Sequence, residues 1–109
     1  MERSGVELIA IERKRQIEEL GYDYTNDSLY NNEQLAKAGV CYALSEKDRT
    51  PELPDDIEYD TLLNALWPWD KKFWKPTPDD RIKELTKAGA LIAAQIDYLQ
   101  TFKNQNPMK

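Results

Sequence analysis

Histidine does not occur in this chain of 109 residues. That absence removes serine–histidine and cysteine–histidine nucleophile systems, histidine general bases and most zinc sites. Cysteine occurs once, at Cys41, so no disulfide can close within the chain and thiolate metal sites are excluded. A reducing compartment is the expected home. Any catalysis would rest on carboxylates with a divalent metal, or on lysine or tyrosine. Long apolar runs are missing too. Charges recur every few residues through MERSGVELIAIERKRQ, and no stretch approaches the roughly 20 apolar residues of a membrane span. The expectation is a soluble protein of the cytoplasm with no membrane partner and no cofactor.

Strand signals are equally scarce: there is no long alternation of β-branched residues, no Asn-Gly or Asp-Gly hairpin turn and no internal repeat. What is present is helical. Ser4 to Glu7 fits a capping box, and Val6, Ile9, Ala10, Ile17 and Leu20 follow at helical spacing up to Gly21, with Arg13 in the middle of that stripe. A long cation there snorkels to water, pairs with a buried anion, or contacts a ligand anion. Residues 21–31 read as a tyrosine-bearing loop. A second helix is expected after Asn32, through EQLAKAGVCYALSE, with Ala36, Ala38, Gly39 and Ala43 allowing close approach of another helix. Residues 47–58 carry two prolines and an acidic excess, the composition of a solvated connection. A short helix is expected over Tyr59–Leu66, ended by Trp67-Pro68.

The C-terminal helix has the fullest signals. Thr77 is the expected N-cap, with Pro78 at the first helical position and Asp79 and Asp80 in the first turn. Ile82, Leu85, Gly89, Ile92, Ile96 and Leu99 repeat at spacings of three and four, a heptad-like seam, and Ala88, Leu91, Gln95, Tyr98 and Phe102 form a second face. Two apolar faces predict burial on two sides, one of them against another subunit. The fold expected is all-α: a single domain over residues 1–109, a small bundle of three main helices plus a short fourth with a long C-terminal helix, oligomeric, with residues 104–109 as a frayed tail.

Net charge is −5 but unevenly placed. Residues 67–109 hold 8 basic and 5 acidic groups, against 7 and 15 before them, so the last part is locally basic. The global balance argues against duplex nucleic acid, which needs many phosphate-neutralising side chains. It permits one small anion. WPWDKKFWKP, from Trp67 to Pro76, holds all three tryptophans and one of two phenylalanines, with lysines between. Aromatic faces stack on planar bases and neighbouring cations hold phosphate, a combination suited to a nucleotide. Tryptophans beside prolines also seal the ends of helical bundles, and the sequence leaves both readings open. The candidate ligand-binding residues are Arg13, Gln16, Trp67, Trp69, Trp74, Lys75, Arg81 and Lys87. Asp79 and Asp80 fill the positive end of the last helix themselves, which places an expected pocket at a subunit junction.

A carboxylate reading competes. Glu12, Glu19, Asp23, Asp27 and Glu33 could hold magnesium between two helices, as in all-α nucleotide pyrophosphohydrolases of the MazG-like type. In this chain, Tyr22 stands where that family has its third glutamate after Glu18-Glu19.

The order ERKRQIEELGY, EQLAKAGVCYAL, WPWDKKFWKP and RIKELTKAGALIAAQIDYLQ resembles small phage- and prophage-encoded proteins of no assigned activity. Their pattern is Glu-Arg-x-Arg-Gln (from Glu12), Glu-x-Leu-Ala (from Glu33), Trp-Pro-Trp (from Trp67), Trp-Lys-Pro (from Trp74) and Lys-Ala-Gly-Ala-Leu-Ile (from Lys87). Members commonly carry acidic and histidine residues where this chain has NDSLYN, a departure that weakens a metal-centred role. The resemblance implies a viral setting and supplies no reaction. Small phage proteins often act on host defence, including by sequestering nucleotide messengers, an analogy of class. The resulting expectation is an accessory protein that binds a nucleotide-like anion without turnover; a protein-binding inhibitor of a host factor and a magnesium-dependent pyrophosphohydrolase are the alternatives.

Overall fold

The computed structural model describes residues 2–20, 33–49 and 62–105. These form α1 (Gly5–Leu20), α2 (Gln34–Ala43), α3 (Glu46–Arg49), α4 (Leu62–Leu66), a 3₁₀ turn (Lys71–Phe73) and α5 (Arg81–Gln105). The described residues contain no strand, so the fold is all-α. The loop at 21–31, most of the acidic connection, the first residues of the expected Tyr59–Leu66 helix and residues 106–109 lie outside the described residues, while residues 104 and 105, expected in the frayed tail, are the last of α5.

α1 begins as a capping box. The Ser4 amide donates to Glu7 Oε1 at 3.1 Å and the Glu7 amide donates to Ser4 Oγ at 3.2 Å, so two end-of-helix amides are satisfied reciprocally. The face turned to α5 differs from the expected stripe. Val6, Ala10 and Ile17 stay exposed, while Ile9 is half-buried and Arg13 and Gln16 are buried. Arg13 holds its place by pairing with Asp97 of α5 at 3.4 Å, a structural ion pair between helices. Ile9 lies against Gly89, where an added Cβ would fall 2.5 Å from Ile9 Cδ1.

α2 packs antiparallel on α5, and α5 caps it at both ends. At the start, buried Gln95 accepts the Ala36 amide through Oε1 at 3.1 Å, supplying the cap that Glu33, in the left-handed conformation at φ 57°, does not. At the far end the Arg81 guanidinium donates to the carbonyls of Tyr42, Ala43 and Leu44, which the helix itself leaves without partners. Between these ends the contact is made of small residues. Ala38, Ala88 and Ala94 are buried, and a Cβ on Gly39 would meet Ile92 Cγ1 at 3.0 Å and the Ala88 carbonyl at 3.1 Å. The core is Leu35, Ala38, Tyr42, Ala88, Leu91, Ala94 and Tyr98, with the three tryptophans packed against it. Burying Leu35 or Leu91 contributes about 2 kcal/mol each.

Two expected boundaries move. α5 starts at Arg81, and Asp80 is its N-cap: Asp80 Oδ1 accepts the Lys83 amide at 3.1 Å. Thr77 cannot fill that role because its own amide is turned inward, donating to Glu84 Oε2 at 3.0 Å, and residues 77–80 close a turn through Asp80 N to the Thr77 carbonyl. Lys47 to Arg49 belong to α3, capped by Ser45, which accepts the Asp48 amide; Lys47 and Asp48 are exposed, while Arg49 is buried.

Glu84 joins these pieces. It is fully buried and accepts a two-pronged fork from Arg49 at 2.9 Å and 2.9 Å, a third bond from Arg81 at 3.1 Å and the Thr77 amide. A buried carboxylate with such partners is tolerated only because its lone pairs are all occupied, two on each oxygen. The Arg49 fork, opposed by burial and aided by Arg81, keeps the Glu84 carboxyl below its ordinary value of 4.5. The stability it contributes is complete above that ordinary value and is lost as pH falls through the lowered one. Acid unfolding followed by tryptophan fluorescence should therefore show a loss of stability below about pH 4.5 that is shallower in Glu84→Gln. An identical slope in the two proteins would remove Glu84 from the account.

Candidate functional site

A cleft of about 550 Å³ opens between α1, the end of α2, the tryptophan segment and α5. α1 supplies Glu12, Arg15 and Gln16, whose spacing of three and four brings them to one side of the helix. α5 supplies Lys83, Lys87 and Leu91 by the same spacing. Tyr42, Trp67, Trp69, Phe73 and Lys75 complete the wall. Gln16, Leu91 and Tyr42 are buried at its floor, while Lys75, Lys83 and Phe73 are exposed at its rim.

The tryptophan segment is held by local bonds. Pro68 follows Trp67, whose Nε1 donates to the Asp70 carbonyl at 3.1 Å; Asp70 Oδ1 accepts the Lys72 amide at 2.9 Å and caps the 3₁₀ turn. Trp67 meets Trp69 edge-on at 5.6 Å between ring centroids and Trp74 at 5.0 Å. Tyr42 anchors the group, 4.6 Å from Trp74 and 5.8 Å from Trp67, and its hydroxyl accepts the Lys75 amide at 3.1 Å. The rings are thus a core lid on one side and a cleft wall on the other. Trp67 and Trp69 do both.

Charge in the cleft is predominantly positive. Glu12 holds Arg15 through two bonds of 2.8 Å, from Nε and Nη2, and accepts Gln16 Nε2 at 3.2 Å. Burial raises the Glu12 carboxyl, but the Arg15 and Gln16 bonds outweigh it and the group sits below its usual value, ionised. Lys87 is half-buried; its Nζ donates to the Lys75 carbonyl at 3.0 Å and lies 5.4 Å from the Tyr42 ring centre. Burial first, then the charges of Lys83 and Arg15, push Lys87 below the ordinary lysine value of 10.5, against the pull of Glu12 and Glu84. A negative group entering here would reverse the cationic part of that shift.

Of the residues singled out from sequence, Gln16, Trp67, Trp69, Lys75 and Lys87 come together at the cleft. Trp74, Arg13 and Arg81 do not line it. Trp74 stands behind the wall against Tyr42, with the Arg49 guanidinium 5.4 Å from its ring centre, and it lines a separate hollow of about 170 Å³ with Leu63, Asn64, Trp67, Trp69 and Lys71. Arg13 is turned to Asp97, and Arg81 is engaged by the α2 carbonyls and Glu84. Asp79 and Asp80 do not line the cleft, to which α5 gives Lys83, Lys87 and Leu91. Arg15 and Lys83 were missed by sequence reasoning. Their signal was spacing: Glu12-Arg15-Gln16 and Lys83-Lys87 repeat at one helical turn.

Cys41 is fully buried, and burial pushes its thiol up to about 11, so it stays a protonated core side chain. Among the described residues no three acidic or thiol side chains gather as a metal site. Of the carboxylates considered for magnesium, Asp23 and Asp27 lie outside the described residues; Glu12 is committed to Arg15, and Glu19 accepts Arg15 Nη1 at 3.3 Å. Compared with family models, curated proteins and solved structures, the chain matches none.

The two roles of the aromatic segment separate by mutation. Trp74→Ala should lower the urea midpoint by the equivalent of about 2 kcal/mol, as for a large half-buried ring packed on the core, whereas Lys83→Ala should change it by less than about 0.5 kcal/mol. Equal stability of the two variants would place Trp74 outside the packing just described.

Proposed function

We propose that the cleft binds a nucleotide-like anion and does not transform it. The observation that carries this reading is the half-buried Lys87 gathered with Lys83, Lys75 and Arg15 beside the rings of Trp67, Trp69, Tyr42 and Phe73. Phosphate suits the cations, and a planar base suits the aromatic wall. Binding without turnover is favoured because the carboxylate lining the cleft, Glu12, is already tied to Arg15 and Gln16. In the setting that the sequence motifs resemble, a phage-encoded accessory protein in a host cytoplasm, sequestration of a nucleotide messenger of host defence is the role we infer.

The test is a thermal-unfolding screen against mono-, cyclic di- and trinucleotides and cyclic ADP-ribose isomers, with and without magnesium. One of them should raise the midpoint without metal, be recovered intact, and lose its effect in Lys87→Met. Binding should weaken as pH rises, starting below the ordinary lysine value of 10.5, because the lowered Lys87 loses its proton first. No shift with any ligand would move the reading to a protein partner; release of phosphate or pyrophosphate only with metal would favour the hydrolase.

We also propose that the protein is a homodimer built on α5. Ile82, Leu85, Ile92, Ile96 and Leu99 remain 43–68% exposed, while the other face of α5 is buried within the chain. These five side chains leave roughly 500 Å² of apolar surface along one side of α5, on either side of Gly89, which Ile9 of α1 covers, the upper range for a typical monomer. Pairing two copies would remove roughly 1,000 Å² in total, the threshold of a specific interface. A second copy fits because the spacing of three and four matches itself and antiparallel pairing opposes the helix dipoles. Sedimentation velocity should give twice the chain mass for the native protein and one chain mass for Ile82→Lys/Ile96→Lys, with both folded by circular dichroism. A native monomer at tens of micromolar would dismiss the dimer.

A further inference from the structure

The floor of the cleft holds a hydrogen-bond acceptor with nothing to accept. Gln16 is only 2% exposed and lines the cleft, and its Oε1 is buried with no hydrogen-bond partner among the described residues. The amide cannot be turned round to relieve this. Its Nε2 donates to Glu12 Oε2 at 3.2 Å, and an ionised carboxylate accepts only, so exchanging the two ends of the amide would set oxygen against oxygen. Glu12 adds a second acceptor beside it. Its Oε2 takes two donors, from Arg15 and Gln16, but Oε1 takes one, from Arg15, and keeps a lone pair. An unsatisfied buried acceptor weakens a fold unless something completes it.

Two polarities are therefore separated in one cavity. Lys75 and Lys83 at the rim offer positive charge, while Gln16 and Glu12 at the back offer acceptors next to aromatic walls. A ligand that satisfies both ends is anionic at one end and carries hydrogen-bond donors on a flat group at the other. Resting on the nucleotide reading of the cleft, we infer that Gln16 Oε1, covered as the side chain stands, turns toward the cleft to receive the exocyclic amine of a base, so the site selects amino-bearing nucleotides over their oxo counterparts. An oxo group in that position would bring one acceptor against another in a buried place, and the discrimination follows from that clash rather than from shape. Arg15 is a positioning residue in this arrangement, since it orients Glu12, which in turn orients Gln16.

The experiment is calorimetric titration of the full chain with matched pairs: AMP against IMP, GMP against XMP, and CMP against UMP. In at least one pair the amino member should bind about tenfold more tightly or better, the scale of a lost hydrogen bond with a buried acceptor left facing an oxo group. Gln16→Met, close to the same volume, should shrink that gap to about twofold while phosphate-driven binding persists. Equal affinities within every pair overturn the inference and leave the nucleotide reading standing, with a ribose hydroxyl or water meeting Gln16 instead. A gap that survives unchanged in Gln16→Met also overturns it. No binding by any member of these pairs overturns this inference, and no binding by any ligand of the unfolding screen as well removes the nucleotide reading with it.

Discussion

A single buried carboxylate organises the chain. Glu84 is on α5, yet its partners come from α3 (Arg49), from α5 one turn away (Arg81) and from the backbone that leads into α5 (Thr77). Desolvating it costs several kcal/mol unless its oxygens are filled, so the three segments are held together or not at all. Arg81 then extends the same cluster to the carbonyls at the end of α2. Trp74 lies over Arg49, and so the ion cluster also fixes the base of the aromatic segment. The position of the cleft wall is a consequence of a charge arrangement on its far side.

This arrangement explains why the described core can be so light in large aliphatic residues. Alanines and Gly39 make the α2–α5 contact, bringing two backbones close but burying little area per residue. Polar side chains do the rest of the fixing: Gln95 and Arg81 cap α2 from α5, and Arg13 ties α1 to Asp97. Directional bonds of this kind confer register, which small apolar contacts alone leave loose. The consequence is that larger apolar residues of α5 are left outward, along the seam from Ile82 to Leu99.

The cleft uses a different face of α5 from that seam. Its cations are kept close by helix spacing on two separate elements, Arg15 on α1 and Lys83 and Lys87 on α5, and one acid, Glu12, offsets them only in part. Its rings belong to the same layer that closes the core. The core and the cleft wall therefore share Trp67, Trp69 and Tyr42, while Lys75 and Lys83 at the rim can vary with little effect on the fold.

Local signals were legible in the sequence wherever the physics is local. The capping box of Ser4 and Glu7, the period of α5, the small residues of α2 and the gathering of tryptophans with lysines could all be read from spacing, since each depends on neighbours within a turn or two. Tertiary structure decided what depends on partners far along the chain. It turned Arg13 and Gln16 inward in place of Val6 and Ile17, engaged Arg81 as a helix cap, moved Trp74 behind the wall and brought Arg15 to Lys83 and Lys87. A charge or an aromatic ring has the same identity in a core, a cap or a cleft. Which of these it joins is set by the free energy of burying it beside a partner, and that partner is chosen only when the helices pack.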